Sequence, residues 1–184
     1  MRFKEFDDKR TTQLAAEFLR LRGGAMNYMK LIKLMYIADR TTVGRTGRTI
    51  SGDIYYSLKH GPILSNTYDL INTDPALEPT ESYWHSHISA PTNYSVSVKQ
   101  DPGKSELSKF TEAIISEVFE KYGHLNRWTI VELTHLFPEW EKTNGSARIK
   151  IEKILSSLNV PAEVAESIIE DLKAQEAEAA LFKS

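Results

Sequence analysis

Between residues 11 and 22 the apolar residues Leu14, Phe18 and Leu21 recur at helical spacing, and Gly23-Gly24 closes the run as a C-terminal cap does. A second helix is predicted to start after the N-cap residue Asn27. Its Leu31, Ile32, Leu34, Met35 and Ala38 cover more than one face, so it should be the most buried helix. Gly44, Gly47 and Gly52 punctuate a polar loop, and the aromatic, β-branched segment Ile54 to Leu58 reads as a strand. Gly61 and Pro62 then look like a joint that turns this strand into a helix entered at Pro62, with Leu64, Tyr68 and Ile71 on one side.

Residues 72–82, with Pro75 and Pro79, read as a loop. "YWHSHIS" and "YSVSVK" alternate at period two around Pro91-Thr92-Asn93 and predict a hairpin. Ser105 and Ser108 open a helix whose stripe of Leu107, Phe110, Ile114, Val118, Phe119 and Tyr122 ends at Gly123, and another helix covers Asn126 to Leu136. Ile149, Ile151, Ile154, Leu155 and Leu158 suggest a further helix, and Pro161 starts a last one carrying Val164, Ile168, Ile169 and Leu172. The expected fold is α+β, mainly α: a helical domain with a small antiparallel β-sheet or hairpin. No linker divides residues 1–184, so one domain is expected, with a helical extension over about residues 146–182.

Composition narrows the chemistry. The absence of cysteine removes disulfides, thiol nucleophiles and zinc thiolate sites, and fits a reducing compartment. No apolar run reaches the length of a membrane span and the N-terminus lacks a signal-peptide core, so a cytoplasmic location is expected. The net charge of −2 is unevenly spread: residues 1–50 hold 11 Lys/Arg against 5 Asp/Glu, a net of +6, which leaves −8 for the rest. Lys30, Lys33, Arg40, Arg45 and Arg48 are therefore a candidate nucleic-acid patch, or else a solvated face paired with acids elsewhere.

His60, before the expected helix, has the chemistry for a carbonyl contact, anion binding or general-base work. No nucleophile elbow, HExxH pair, phosphate-cradling loop or paired metal carboxylates accompany it, so a structural or partner-contact role is favoured and no catalytic residue is assigned. His85 and His87 would share one face of a strand, with His60, His124 or His135 as a third metal ligand, yet no spacing selects that third ligand. No metal or other cofactor is expected. In "YGHLNRWTIVELTHLFPEW", Trp128, Leu133 and Leu136 read as core, while His135, Phe137 and Trp140 lie where aromatic residues serve either as core or as interface anchors.

Three motifs in order, "LIKLMYIADR", "GRTISGD" with "YYSLKHGPI" and "SNTYDLI", and "YGHLNRWTIVELTH" with a nearby Trp, resemble the SocA-like antitoxin or Panacea domain over about residues 27–140. The matching positions are Lys33, Leu34, Tyr36, Ala38 and Asp39; Gly52 and Asp53; His60, Gly61, Pro62 and Tyr68; and Gly123, Leu133, Thr134, His135 and Trp140. The resemblance implies a bacterial or prophage antitoxin that neutralises a toxin from an adjacent gene by direct contact, with no catalytic site. The candidate partner-binding residues are His60, Gly61, Pro62, His135, Phe137 and Trp140. The alternatives are an operator-binding autorepressor using the basic residues and a histidine-dependent metallohydrolase.

Overall fold

A computed structural model describes residues 6–77 and 82–181, so Pro79 and the chain beyond Leu181 lie outside the described residues. Helix α1 (Asp8–Leu21) is capped by Asp7, whose carboxylate accepts from Arg10 N at 3.0 Å. It stops where Gly23 takes a φ of +96°, a conformation that side chains with a Cβ resist. Helix α2 (Tyr28–Thr46) starts at Asn27, which accepts from Met29 N and Lys30 N. Every residue from Lys30 to Asp39 is buried, as its apolar residues on more than one face predict.

Strand β1 (Ala25–Asn27) pairs antiparallel with β4 (Ser95–Ser97), and a three-stranded antiparallel sheet runs β3-β2-β5, from β2 (Tyr55–Leu58), β3 (Gly61–Leu64) and β5 (Ala147–Ile149). The remaining helices are α3 (Ser65–Asn72), α4 (Tyr83–His87), α5 (Lys109–Tyr122), α6 (Arg127–His135), α7 (Ile151–Ser157) and α8 (Ala162–Leu181). The fold is mainly helical α+β. Helix α2 packs against α1, α3, α5, α6, α7, β1 and β3, and its side chains form the middle of the core. No helix among the described residues is long and apolar enough to cross a membrane.

Three expectations need correction. Gly61-Pro62 does not open a helix: it begins β3, where Pro62 sits opposite Ser57 and Leu58 opposite Gly61, so Lys59 and His60 form a two-residue hairpin turn. Proline is tolerated because β3 is an edge strand with no neighbour awaiting its missing N–H. The helix starts three residues later, at Ser65, and its cap is remote: Asp53 accepts from Asn66 N at 2.8 Å and from Thr67 N and Oγ1 at 2.9 and 2.7 Å. "YWHSH" is a helical turn rather than a strand. Ser82 caps it, Asp8 accepts from Tyr83 N and Trp84 N, and Trp84 and Ile88, four residues apart, are fully buried. Finally, Ile149 belongs to β5 opposite Tyr55, and the helix expected around it starts at Ile151.

The loop between α2 and β2 is built on Asp39, which is fully buried. Its carboxylate accepts from Ile50 N at 2.7 Å, Ser51 N at 3.1 Å and Tyr55 Oη at 2.9 Å, and from the Ser51 hydroxyl. Arg10 of α1 donates to the Ile50 and Ser51 carbonyls from the other side. Burial pushes the Asp39 pKa up, and these hydrogen bonds work against that shift. Asp39→Ala orphans several buried donors at once and is expected to cost on the order of 3 kcal/mol in urea unfolding. A midpoint equal to wild type would show that the loop is held by something else.

Candidate functional site

The hairpin turn at Lys59-His60 is fitted closely to two helices. Gly61 has a φ of +94°, and a Cβ there would lie 2.7 Å from Thr134 Oγ1 of α6 and 3.0 Å from Lys33 Nζ of α2. Trp140 Nε1 donates to Leu58 O at 3.0 Å and Glu141 N to Ser57 Oγ at 3.1 Å, so the segment after α6 docks along β2. His135 stacks on Trp140 with ring centroids 4.0 Å apart, and His60 meets the Trp128 ring edge-on at 5.7 Å.

Beside the turn is a cavity of about 330 Å³. Tyr28, Met29, Ile32, Ile63 and Tyr68 supply its walls, and Lys59 and His60 stand at its edge. Lys33 also lines it while only 1% exposed. Its Nζ donates to Pro62 O at 2.7 Å, one bond for an ammonium that carries three donors. No carboxylate occurs among the described lining residues. Burial without a counter-charge pushes the Lys33 pKa down to about 7. His135 is likewise lowered, by burial first and then by the charge of Lys33, and its Nε2 is buried with no hydrogen-bond partner among the described residues.

The expected partner-binding residues come together around this turn but differ in access. His60 is exposed, Gly61 and Pro62 are buried, and His135, Phe137 and Trp140 are half-buried. Phe137 is packed rather than presented: the Arg40 guanidinium lies 4.2 Å from its ring centre and Tyr36 stacks on it. The exposed large apolar residues of this region are two expected in the core, Trp128 at 48% and Leu136 at 81% exposure.

The basic residues do not form one exposed face. Lys30 is buried and donates to Gly123 O at the end of α5, where cations are favoured; Lys33 is buried at the cavity. Arg40 pairs with the fully buried Glu139, which also accepts from Tyr36 Oη at 3.0 Å. Burial opposes ionisation of Glu139, but Arg40 and Ser157 outweigh it and hold its pKa below the usual value. Only Arg45, bonded to Glu117 at 2.6 Å, and Arg48 among the five are exposed. The two histidines of "HSH" also diverge: His85 Nε2 faces Leu70 O at 2.7 Å and the His87 ring stacks on Tyr83. Among the described residues no three His, Cys, Asp or Glu side chains converge as metal ligands.

Sequence reasoning placed Lys33 on the surface, although a signal was present. A lysine flanked by Ile32 and Leu34, in a helix apolar on several faces, has no solvated side to occupy. Its lowered pKa has a pH signature. Between about 7 and the ordinary value of 10.5 the unfolded chain binds the proton that folded Lys33 has released, so stability rises with pH across that window. The slope is at most about 1.4 kcal/mol per pH unit. Urea unfolding at pH 7, 8 and 9 should show the rise, and Lys33→Met should flatten it and stabilise the protein at pH 7 by removing a buried unpaired charge. A wild-type profile without slope would mean that Lys33 keeps an ordinary pKa.

No curated protein and no solved structure matches the chain. The family model described as antitoxin SocA-like, Panacea domain, matches residues 31–141, from the buried stretch of α2 to the residue after Trp140. The match takes in β2, the Lys59-His60 turn and α6 together, and on this evidence the protein belongs to the SocA-like antitoxin (Panacea domain) family.

Proposed function

We propose that this protein neutralises a cognate toxin by binding it directly, with no chemistry of its own. The observation that carries the reading is the family match itself, which spans the elements that converge on the hairpin turn. The surface around the turn supports it. Trp128 and Leu136, at opposite ends of α6, are exposed large apolar residues, and Trp128 is braced by His60 across the turn and by the Arg127 guanidinium at 5.2 Å. A rigid aromatic residue beside an arginine is the kind of anchor that dominates protein–protein affinity.

The partner is a toxin protein, most simply the product of the adjacent gene. Expression of that neighbouring reading frame in bacteria should arrest growth, and co-expression of this protein should restore it and yield a co-purifying complex. A toxic neighbour left unrescued and unbound would sink the reading. The surface assignment has its own test. Trp128→Ala and Leu136→Asp remove exposed side chains, so the melting temperature should stay within a few degrees of wild type. Affinity for the toxin should fall on the order of tenfold or more. Full rescue and unchanged affinity in both variants would move the interface elsewhere on the molecule.

A further inference from the structure

The cavity beside the hairpin turn has a composition that packing alone does not require. Its walls are apolar and aromatic, from Tyr28, Met29, Ile32, Ile63 and Tyr68, and its volume of about 330 Å³ falls within the range of small-molecule sites. The charged group that lines it, Lys33, is 99% buried, being 1% exposed. An ammonium taken out of water is costly unless it is paired with an anion. Lys33 has one neutral carbonyl, Pro62 O, and no other hydrogen bond among the described residues. The lining offers a second cation, Lys59, and His60, but no acid.

We propose that this cavity is a binding site for a monocarboxylate with an apolar body, the carboxylate pairing with Lys33 Nζ and the body filling the space between α2 and β3. The chemistry selects one negative charge. A dianion such as phosphate is strongly hydrated and needs several fixed donors to replace its water, whereas a carboxylate can be satisfied by one ammonium and the groups at the edge. An apolar body is required because the walls beyond Lys33 present hydrocarbon and ring faces. The same chemistry has two sources, a free organic acid or the C-terminal residue of a peptide chain. The site is independent of the toxin reading, since it would bind such a ligand whatever the protein's partner.

Isothermal titration of the full chain distinguishes these cases. The probes are 3-phenylpropanoate, its neutral amide, inorganic phosphate, and the peptide Gly-Gly-Gly-Phe with a free or an amidated C-terminus. At least one of the two carboxylates should bind, the corresponding amide should bind on the order of tenfold more weakly or not at all, and phosphate should not compete. The tighter of the two carboxylates identifies the source. Lys33→Met should lower the affinity on the order of 10- to 100-fold without unfolding the protein. Met29→Trp, which fills the cavity and leaves Lys33 in place, should block binding by volume. Affinity should be higher at pH 6 than at pH 8.5, because carboxylate binding requires the protonated amine and the unliganded amine loses its proton near 7. Absence of binding by both carboxylates, equal binding of the amides, preference for phosphate, or unchanged affinity in Lys33→Met would each overturn the proposal.

Discussion

The burial of α2 on every side from Lys30 to Asp39 is the constraint from which the rest of the structure follows. A stretch of helix with no solvated face cannot send its polar side chains to water, so each needs a partner inside the fold. Asp39 takes the backbone of residues 50 and 51 and the Tyr55 hydroxyl, Lys30 takes the last carbonyl of α5, and Lys33 takes Pro62 O of the edge strand. Tyr36 and Arg40 share Glu139. The polar residues of α2 therefore act as addresses. Together they state where the loop, the α5 terminus, the hairpin and the segment after α6 must lie.

A second buried carboxylate continues this logic one step outward. The loop held by Asp39 delivers Asp53 to the start of α3, which has no side-chain cap of its own. A negative charge there satisfies the free N–H groups and meets the positive end of the helix. Asp39 positions the loop, the loop positions Asp53, and Asp53 begins α3, so the hairpin between them is fixed at both ends. The match of the family model to residues 31–141 spans this whole chain of dependence, which extends over a hundred positions to Glu139.

Much of this was legible in the sequence where periodicity and caps agree. Asn27, Ser108 and Asn126 cap α2, α5 and α6 as their positions suggest, and the central burial of α2 followed from its apolar residues. Reading failed where a remote residue overrode a local signal. Pro62 resembles a first helical residue, but strand pairing with Ser57 claims it, and the helix waits for the Asp53 carboxylate. In "YWHSHIS" the alternation is real, but Ser82 caps the segment as a helical turn, and Asp8, 75 positions before Tyr83, adds a carboxylate that accepts from Tyr83 N and Trp84 N. Of the candidate site, His60, Gly61, Pro62, His135 and Trp140 do gather around one turn, whereas Lys33, expected on an exposed basic face, is buried at the cavity. Cavities are formed by elements distant in sequence, so no local pattern could draw this one.

The two buried lysines of α2 show why Lys33 asks for more than a packing explanation. Lys30 ends at Gly123 O, at the C-terminus of α5, where the aligned peptide dipoles present partial negative charge and the lysine completes a helix terminus. Its position offsets part of the cost of its burial. Lys33 meets a single strand carbonyl and no carboxylate among the described residues that line its cavity, and a methionine would fill the same space at lower cost. Burial strong enough to bring an ammonium pKa down to about 7 is a standing penalty on the folded state. A ligand carboxylate would remove that penalty by supplying the missing charge, so binding energy and stability are coupled through one nitrogen atom, and the cost of Lys33 in the free protein is the driving force for filling the cavity.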